Sequence, residues 1–226
     1  MRAETQTTII PPSSASKRRR GFTLTEIAIV LGIIGLILGA IWVAAASVYG
    51  NMRISTANTE LLQVAQAVRS LYATSGTTDQ TADMAPQDTA QAGNGLTYIR
   101  AGVFPTNALN QGSATTSTFT RNPWGGAIFV QSAQQVAGTN DSFVVVFNSI
   151  PNDACINLLT SSTGTGRDPG MWAVGGGARN GLPAQNALQP GTPFSAATAN
   201  GVCANGVAGN PNNNAAGFWF NLRAGT

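Results

Sequence analysis

From Ile27 to Ala46 the chain runs 20 residues without a charge, and eleven of them are Ile, Leu or Val. At ~1.5 Å of rise per residue such a stretch makes a helix of roughly 30 Å, the thickness of a bilayer core. At ~0.3–0.6 kcal/mol each, those eleven side chains favour insertion by about 3–6 kcal/mol. A helix in the core of a soluble protein would show a polar face, and this one shows none. Past Gly50 the pattern changes. Ile54, Ala57, Leu61, Val64, Ala65, Val68, Leu71 and Tyr72 trace one face of a helix, and Arg53, Asn58, Glu60, Gln63, Gln66 and Arg69 fall largely elsewhere. No proline occurs between residues 22 and 75. Ser75-Gly76-Thr77-Thr78 supplies a stop, with Gly76 suited to the position just past the last turn. The pattern predicts one long helix over residues 22–75, apolar all round through residue 46 and amphipathic after it. A membrane anchor alone would not need the second half. A helix that buries one face under a folded head would.

Residues 76–226 read as that head. Leu96–Arg100, Ala127–Val130, Ser142–Phe147, Met171–Val174 and Gly217–Leu222 are rich in β-branched and aromatic side chains and read as strands. Asn122-Pro123-Trp124-Gly125-Gly126 is a turn signal ahead of the second. Pro151-Asn152-Asp153 opens a short helix over Ala154–Leu159, with Asn152 as its expected cap. Residues 77–95 and 175–214 are rich in small and polar residues and read as loops, including Gly175-Gly176-Gly177. Several strands beside one long helix give an α+β fold.

Charge now changes the picture. Lys17, Arg18, Arg19 and Arg20 precede the apolar run, and both cysteines, Cys155 and Cys203, follow it. The positive-inside tendency puts residues 1–20 in the cytoplasm and the rest outside. Outside the cytoplasm two cysteines most simply form one disulfide, and two buried free thiols are the alternative. Glu26 sits at the edge of the apolar run, where an isolated carboxylate costs on the order of 3 kcal/mol. It either reaches back to the headgroups or has a partner.

Gly21-Phe22-Thr23-Leu24-Thr25-Glu26, with cations before and the apolar run after, resembles the N-terminus of type IV pilins and their pseudopilin relatives. The resemblance implies that a prepilin peptidase cuts after Gly21 and that the new first residue, Phe22, is N-methylated. It also implies that Glu26 meets the N-terminal ammonium of a neighbouring subunit during assembly. Two charges about 4 Å apart in a low-dielectric setting attract strongly, so each offsets the other's desolvation. Residues 1–21 would be a removable leader. Its length is closer to the type IVb habit, whereas Phe22 is the usual type IVa first residue. The head decides between them. Asn122–Gly126 ahead of a strand, Ile150-Pro151 through Ala154-Cys155 to Leu158-Leu159, and Cys203 before an Asn-rich run and a final apolar strand resemble the PilS-like type IVb pilins. By that resemblance a Cys155–Cys203 disulfide encloses the variable C-terminal region. Gly35 and Gly39 form a small-xxx-small pair that lets helices approach closely in a filament core.

The chain's formal charge of +3 belongs to the leader, which holds five of its 12 cations and one of its nine acids. The remainder carries seven cations and eight acids, so no basic patch for nucleic acid survives. There is no histidine, which excludes a Ser-His-Asp triad and most zinc sites. Asp79, Asp83 and Asp88 lack the alternate-residue spacing of a calcium loop. Trp124, Trp172 and Trp219 read as core or subunit contacts. The expectation is a structural subunit with no catalytic residue, cofactor or metal. Its partners would be further copies in a helical filament, the peptidase, the inner-membrane assembly machinery and, before assembly, the membrane itself. Two other readings stand beside it. One is a minor pilin or a type II secretion pseudopilin. The other is a secreted binding module released by an ordinary signal peptide, with Ala44-Ala45-Ala46 imitating its cleavage site.

Overall fold

A computed structural model describes residues 21–75, 77–78, 101–109, 120–137, 139–179, 182–189, 192–204 and 212–223. The expected strand Leu96–Arg100 and the loop over 79–95 lie outside these residues, as do residues 1–20 of the leader. The chain divides into two compact units, Met1–Ala46 and Ser47–Thr226.

In the first unit every described residue is exposed, and residues from Leu24 onward are helical. They begin helix α1, Leu24–Leu71, which is continuous through the second unit. The helix ends at Leu71 rather than at residue 75, and residues 72–75 form turns. The described chain has one helix long and apolar enough to cross a membrane, and none of its most apolar window is buried.

The second unit is α+β. Five strands, β1 (Ile128–Ala133), β2 (Ser142–Ile150), β3 (Met171–Ala178), β4 (Asn186–Ala187) and β5 (Asn214–Asn221), form one sheet in the order β1-β2-β5-β3-β4. Every neighbouring pair is antiparallel. Besides the second half of α1, the described residues of this unit include two helices, α2 (Asn152–Ser162) and α3 (Ala196–Cys203), and a 3-10 turn at Thr106–Ala108. Period-2 alternation sorts the side chains of β2. Phe143, Val145 and Phe147 join the larger core with Phe218 and Phe220 of β5 and Ala57, Leu61, Val64, Ala65 and Val68 of α1. Val144 and Val146 join a second cluster on the opposite face with Phe129, Ala173, Ala215 and Trp219. Both faces of β2 are therefore buried, which is why it reads as an unbroken apolar run.

Three expectations need correction. Gly175-Gly176-Gly177 is not a loop but the middle of β3, paired with β5. A Cβ at Gly175 would fall on the Ala184 carbonyl, and one at Gly176 would stand 2.9 Å from the Val202 backbone. The glycines let neighbouring backbone lie directly on the strand. The Gly- and Ala-rich stretch after them is not all loop either, because it contains β4 and α3. Ser195 caps α3, its Oγ accepting from Thr198 N at 3.1 Å. Asn152 does not cap α2. Pro151 holds the cap position in extended conformation and Asn152 is the first helical residue, a place where Pro and its missing N–H can precede the first turn without loss.

Candidate functional site

The residues singled out for function fall in two places. At the start of α1, Gly21 and Phe22 are exposed, Phe22 at 78 %. Thr23 precedes the first turn, and its Oγ1 accepts from Glu26 N at 3.4 Å. The spacing Thr-x-x-Glu is half of a capping box, a local signal that the pattern reading passed over. Glu26 lies in the first turn, where the helix dipole favours a carboxylate. Gly35 and Gly39 have no atom within 4 Å of where a Cβ would stand. The described residues therefore fill none of the space these glycines leave.

The second place is the head. Cys155 of α2 and Cys203, the last residue of α3, form a disulfide with their Cα atoms 6.0 Å apart. Both are buried. Apolar helix faces bring them together. Leu158 and Leu159 of α2 and Ala199 of α3 lie in the same core cluster as the two cysteines. The bridge encloses β3, β4 and α3. Trp219 is fully buried in the smaller cluster, against which the half-buried Trp172 packs, and Trp124 packs on the larger one.

The expected turn is built around Asn122. Its Oδ1 accepts from Trp124 N at 2.9 Å and Gly126 N at 3.0 Å, and its Nδ2 donates to the Asn148 carbonyl at 2.7 Å. One buried amide thus ties the turn to the end of β2. A Cβ at Gly126 would fall on that same Asn148 carbonyl, and Gly125 has φ +91°. The glycine pair follows from both facts.

Four charged groups of the second unit escape a reading by pattern. Arg69, near the end of α1, donates Nη1 to Asp168 Oδ2 at 2.7 Å and Nη2 to Oδ1 at 2.8 Å. Its Nε reaches the Asn221 carbonyl at 3.0 Å, and its guanidinium lies 5.5 Å from the Phe220 ring centre. This one side chain joins the helix to the turn before β3 and to the end of β5. Burial works against the charged form of Asp168. The Arg69 fork, the Gly170 N–H and the Arg69 charge outweigh it and hold the carboxyl below its usual range. Asp141 is held low in the same sense. Burial opposes it, and the N–H groups of Gln135 and Val136 outweigh that.

Glu60 is the opposite case. It is not on the solvent face of α1 but 3 % exposed. Asn107 Nδ2 donates to its Oε1 at 2.6 Å, and its Oε2 is buried with no partner. Burial pushes the carboxyl up to about 7.

These arrangements hold no reactive constellation. Among the described residues no group of three or more Cys, Asp or Glu could hold a metal ion. Among the described residues the chemistry available is the disulfide, one ion pair, and an exposed helix start whose apolar continuation is exposed as well.

The description "PilS N terminal" matches residues 51–214, and "Prokaryotic N-terminal methylation motif" matches residues 16–42. Among solved structures, a type IVb pilin from Salmonella typhi is similar at 22 % identity and a TM-score of 0.50, over 74 % of this chain and 99 % of that one. TcpA, a type IV pilin from Vibrio cholerae El Tor biotype, is similar at 15 % identity and a TM-score of 0.47, over 74 % of this chain and 98 % of that one. No curated protein sequence matches the chain. At such identity the first structural likeness bears on the fold alone.

Proposed function

The chain belongs to the PilS family of type IV pilins, and from that premise we propose that it is a type IVb-like prepilin, the structural subunit of an extracellular filament. It waits in the inner membrane on residues 22–46 with its leader in the cytoplasm and its head outside. Prepilin peptidase removes residues 1–21 between Gly21 and Phe22, and Phe22 is N-methylated. The inner-membrane assembly machinery then polymerises the subunits through α1, with Gly35 and Gly39 admitting neighbouring helices and Glu26 setting register against the ammonium of Phe22 in the next copy.

One observation carries this reading. The match to the methylation motif at residues 16–42 covers the start of α1, whose apolar side chains up to Ala46 are all exposed. A surface of that kind needs a solvent other than water. Lipid supplies it before assembly, and other α1 helices supply it afterwards. The loose glycines fit the second environment, because small residues are what packed membrane helices use at their contacts.

The test is the intact mass and N-terminal sequence of the protein from membranes and from sheared surface fibres. A chain beginning at N-methylated Phe22 in the fibres is expected. One beginning at Ser47 and free in the medium overturns the reading in favour of a secreted module. Copy number in the same fibres separates a major subunit from a minor one. Glu26→Val should leave cleavage intact and reduce assembly. Normal filaments from that variant would remove the register role while leaving the subunit reading in place.

A further inference from the structure

A cleft of about 140 Å³ lies between the middle of α1 and the turn joining α2 to β3. Leu61 and Met171 give it an apolar wall, and Arg167 lines it as well. Arg167 is half-buried. Its Nη2 donates to the Gln189 carbonyl at 3.2 Å, but its Nη1 is buried with no acceptor. Asn58, on the α1 side, repeats the pattern. Its Nδ2 donates to Ser161 Oγ at 2.9 Å, and its Oδ1 is buried without a donor. Asp168 borders the same cleft, yet both its oxygens are engaged by Arg69 and Gly170. Arg167 thus lines the cleft with its charge incompletely answered, and the group that answers it best there is a carboxylate, through a charge-assisted bond.

The chain carries such a group on its surface. Asp153 lies in the first turn of α2, exposed, and outside the one ion pair found among the described residues. The cleft meets α2 at its other end, at Ser161 and Ser162. An 11-residue helix separates its two ends by roughly 15 Å, so the two groups do not meet within one copy. Complementary groups at opposite ends of one element make a head-to-tail contact, the kind that builds a filament wherever its rotation does not close into a ring. The geometry points to a contact between copies in which Asp153 of one head enters the Arg167 cleft of the next. This rests on the pilin reading and adds to it a specific pair of surfaces on the heads.

The experiment uses the full chain as the sole pilin of a piliated cell, comparing Asp153→Arg, Arg167→Asp and the two together. Sheared-fibre yield is read against the membrane pool, and head unfolding is followed in detergent for each variant. Each single change should lower the yield about fivefold and the exchanged pair should recover most of it, as for a desolvated charge pair. If Arg167→Asp does not fold, Asp153→Asn and Arg167→Gln replace the exchange, and the two together should lose no more than either alone. Wild-type yield from Asp153→Arg, or losses that multiply in a folded double variant, would overturn the contact. The carboxylate would then come from Asp79, Asp83, Asp88 or a small acid in solution. A wild-type chain that forms no fibres would overturn the pilin reading itself.

Discussion

The Ile and Leu residues of α1 between Ile27 and Ile41 stand 46–77 % exposed. Between Ala57 and Val68 the same helix has six buried positions, five of them apolar at 0–1 % exposure. The side chains are equally apolar in both halves. What differs is the polar residues between them. In the second half Asn, Thr and Gln interrupt the run and confine burial to one stripe, so the chain's own sheet can cover it. In the first half nothing interrupts it, and the whole circumference must be covered by something else. One half is therefore stabilised by the fold and the other by its surroundings, and a perturbation of either should leave its counterpart untouched.

The sharpest division should come from the disulfide. Replacing Cys155 and Cys203 with Ser opens a 49-residue loop, which on chain-entropy grounds costs about 4 kcal/mol. For a head of this size that is a fall in melting temperature of about 10 °C. The helicity of residues 24–46 in detergent should not change with it. If both melt together in the reduced protein, the halves are coupled and the comparison fails. The reverse experiment is Ile34→Asp. A carboxylate in the middle of the apolar run costs about 3 kcal/mol of insertion, so the membrane-bound fraction should drop. The unfolding midpoint of the head should remain where it was.

Glu60 sharpens the comparison within the second half. Its folded-state pKa is raised from 4.5 to about 7, so the folded head holds this proton more tightly than the unfolded chain does. The contribution to stability is complete below pH 4.5 and is lost as pH rises through 7. Glu60→Gln keeps an acceptor for Asn107 and removes the charge. It should leave stability unchanged near pH 4 and raise it by about 2–3 kcal/mol at pH 8. Denaturant unfolding at the two pH values checks this, and parallel behaviour of variant and wild type would show that the buried carboxyl does not titrate in this range.

How much of this was legible follows from the range of each interaction. The long helix, β2 and β5 show themselves in local periodicity, and the Asn122–Gly126 turn in residues whose conformational needs are local. The absence of proline and the stop signal at Ser75–Thr78 point to a helix over 22–75, and the observed helix spans Leu24–Leu71 with turns after it. Glu60 was misassigned because periodicity assigns faces by average spacing. A buried acid held by Asn107, 47 residues away, leaves no trace in that average. The glycines of β3 misled for a related reason. Local propensity makes a glycine run a loop, and only the close approach of Ala184 and Val202 explains it as a strand. The Gly35–Gly39 spacing is legible as a motif, but no described atom fills the space it leaves, so the fold adds nothing to it.

The smallest expected effect concerns Arg69 and Asp168, which join α1 to the far end of the head. Their side chains are 16 % and 11 % exposed, so solvent screens part of the attraction and the pair is worth less than a fully buried one. Asp168→Asn keeps the shape and the acceptor for Gly170 N–H while removing the charge, and should cost about 1–2 kcal/mol at neutral pH. The sign with pH is opposite to that of Glu60. Asp168 is held below its usual range, so its contribution is present above the ordinary carboxylate pKa and is lost as pH falls through the folded-state value. The gap between wild type and Asp168→Asn should therefore close in acid, while the gap for Glu60→Gln closes there for the other reason, that Glu60 is then protonated in both states. Wild type set against each variant at acid and at basic pH separates the two carboxyls. Acid weakens the tie at the end of α1 and strengthens the helix at Glu60, and residues 24–46, which pack on neither carboxyl, should register no change.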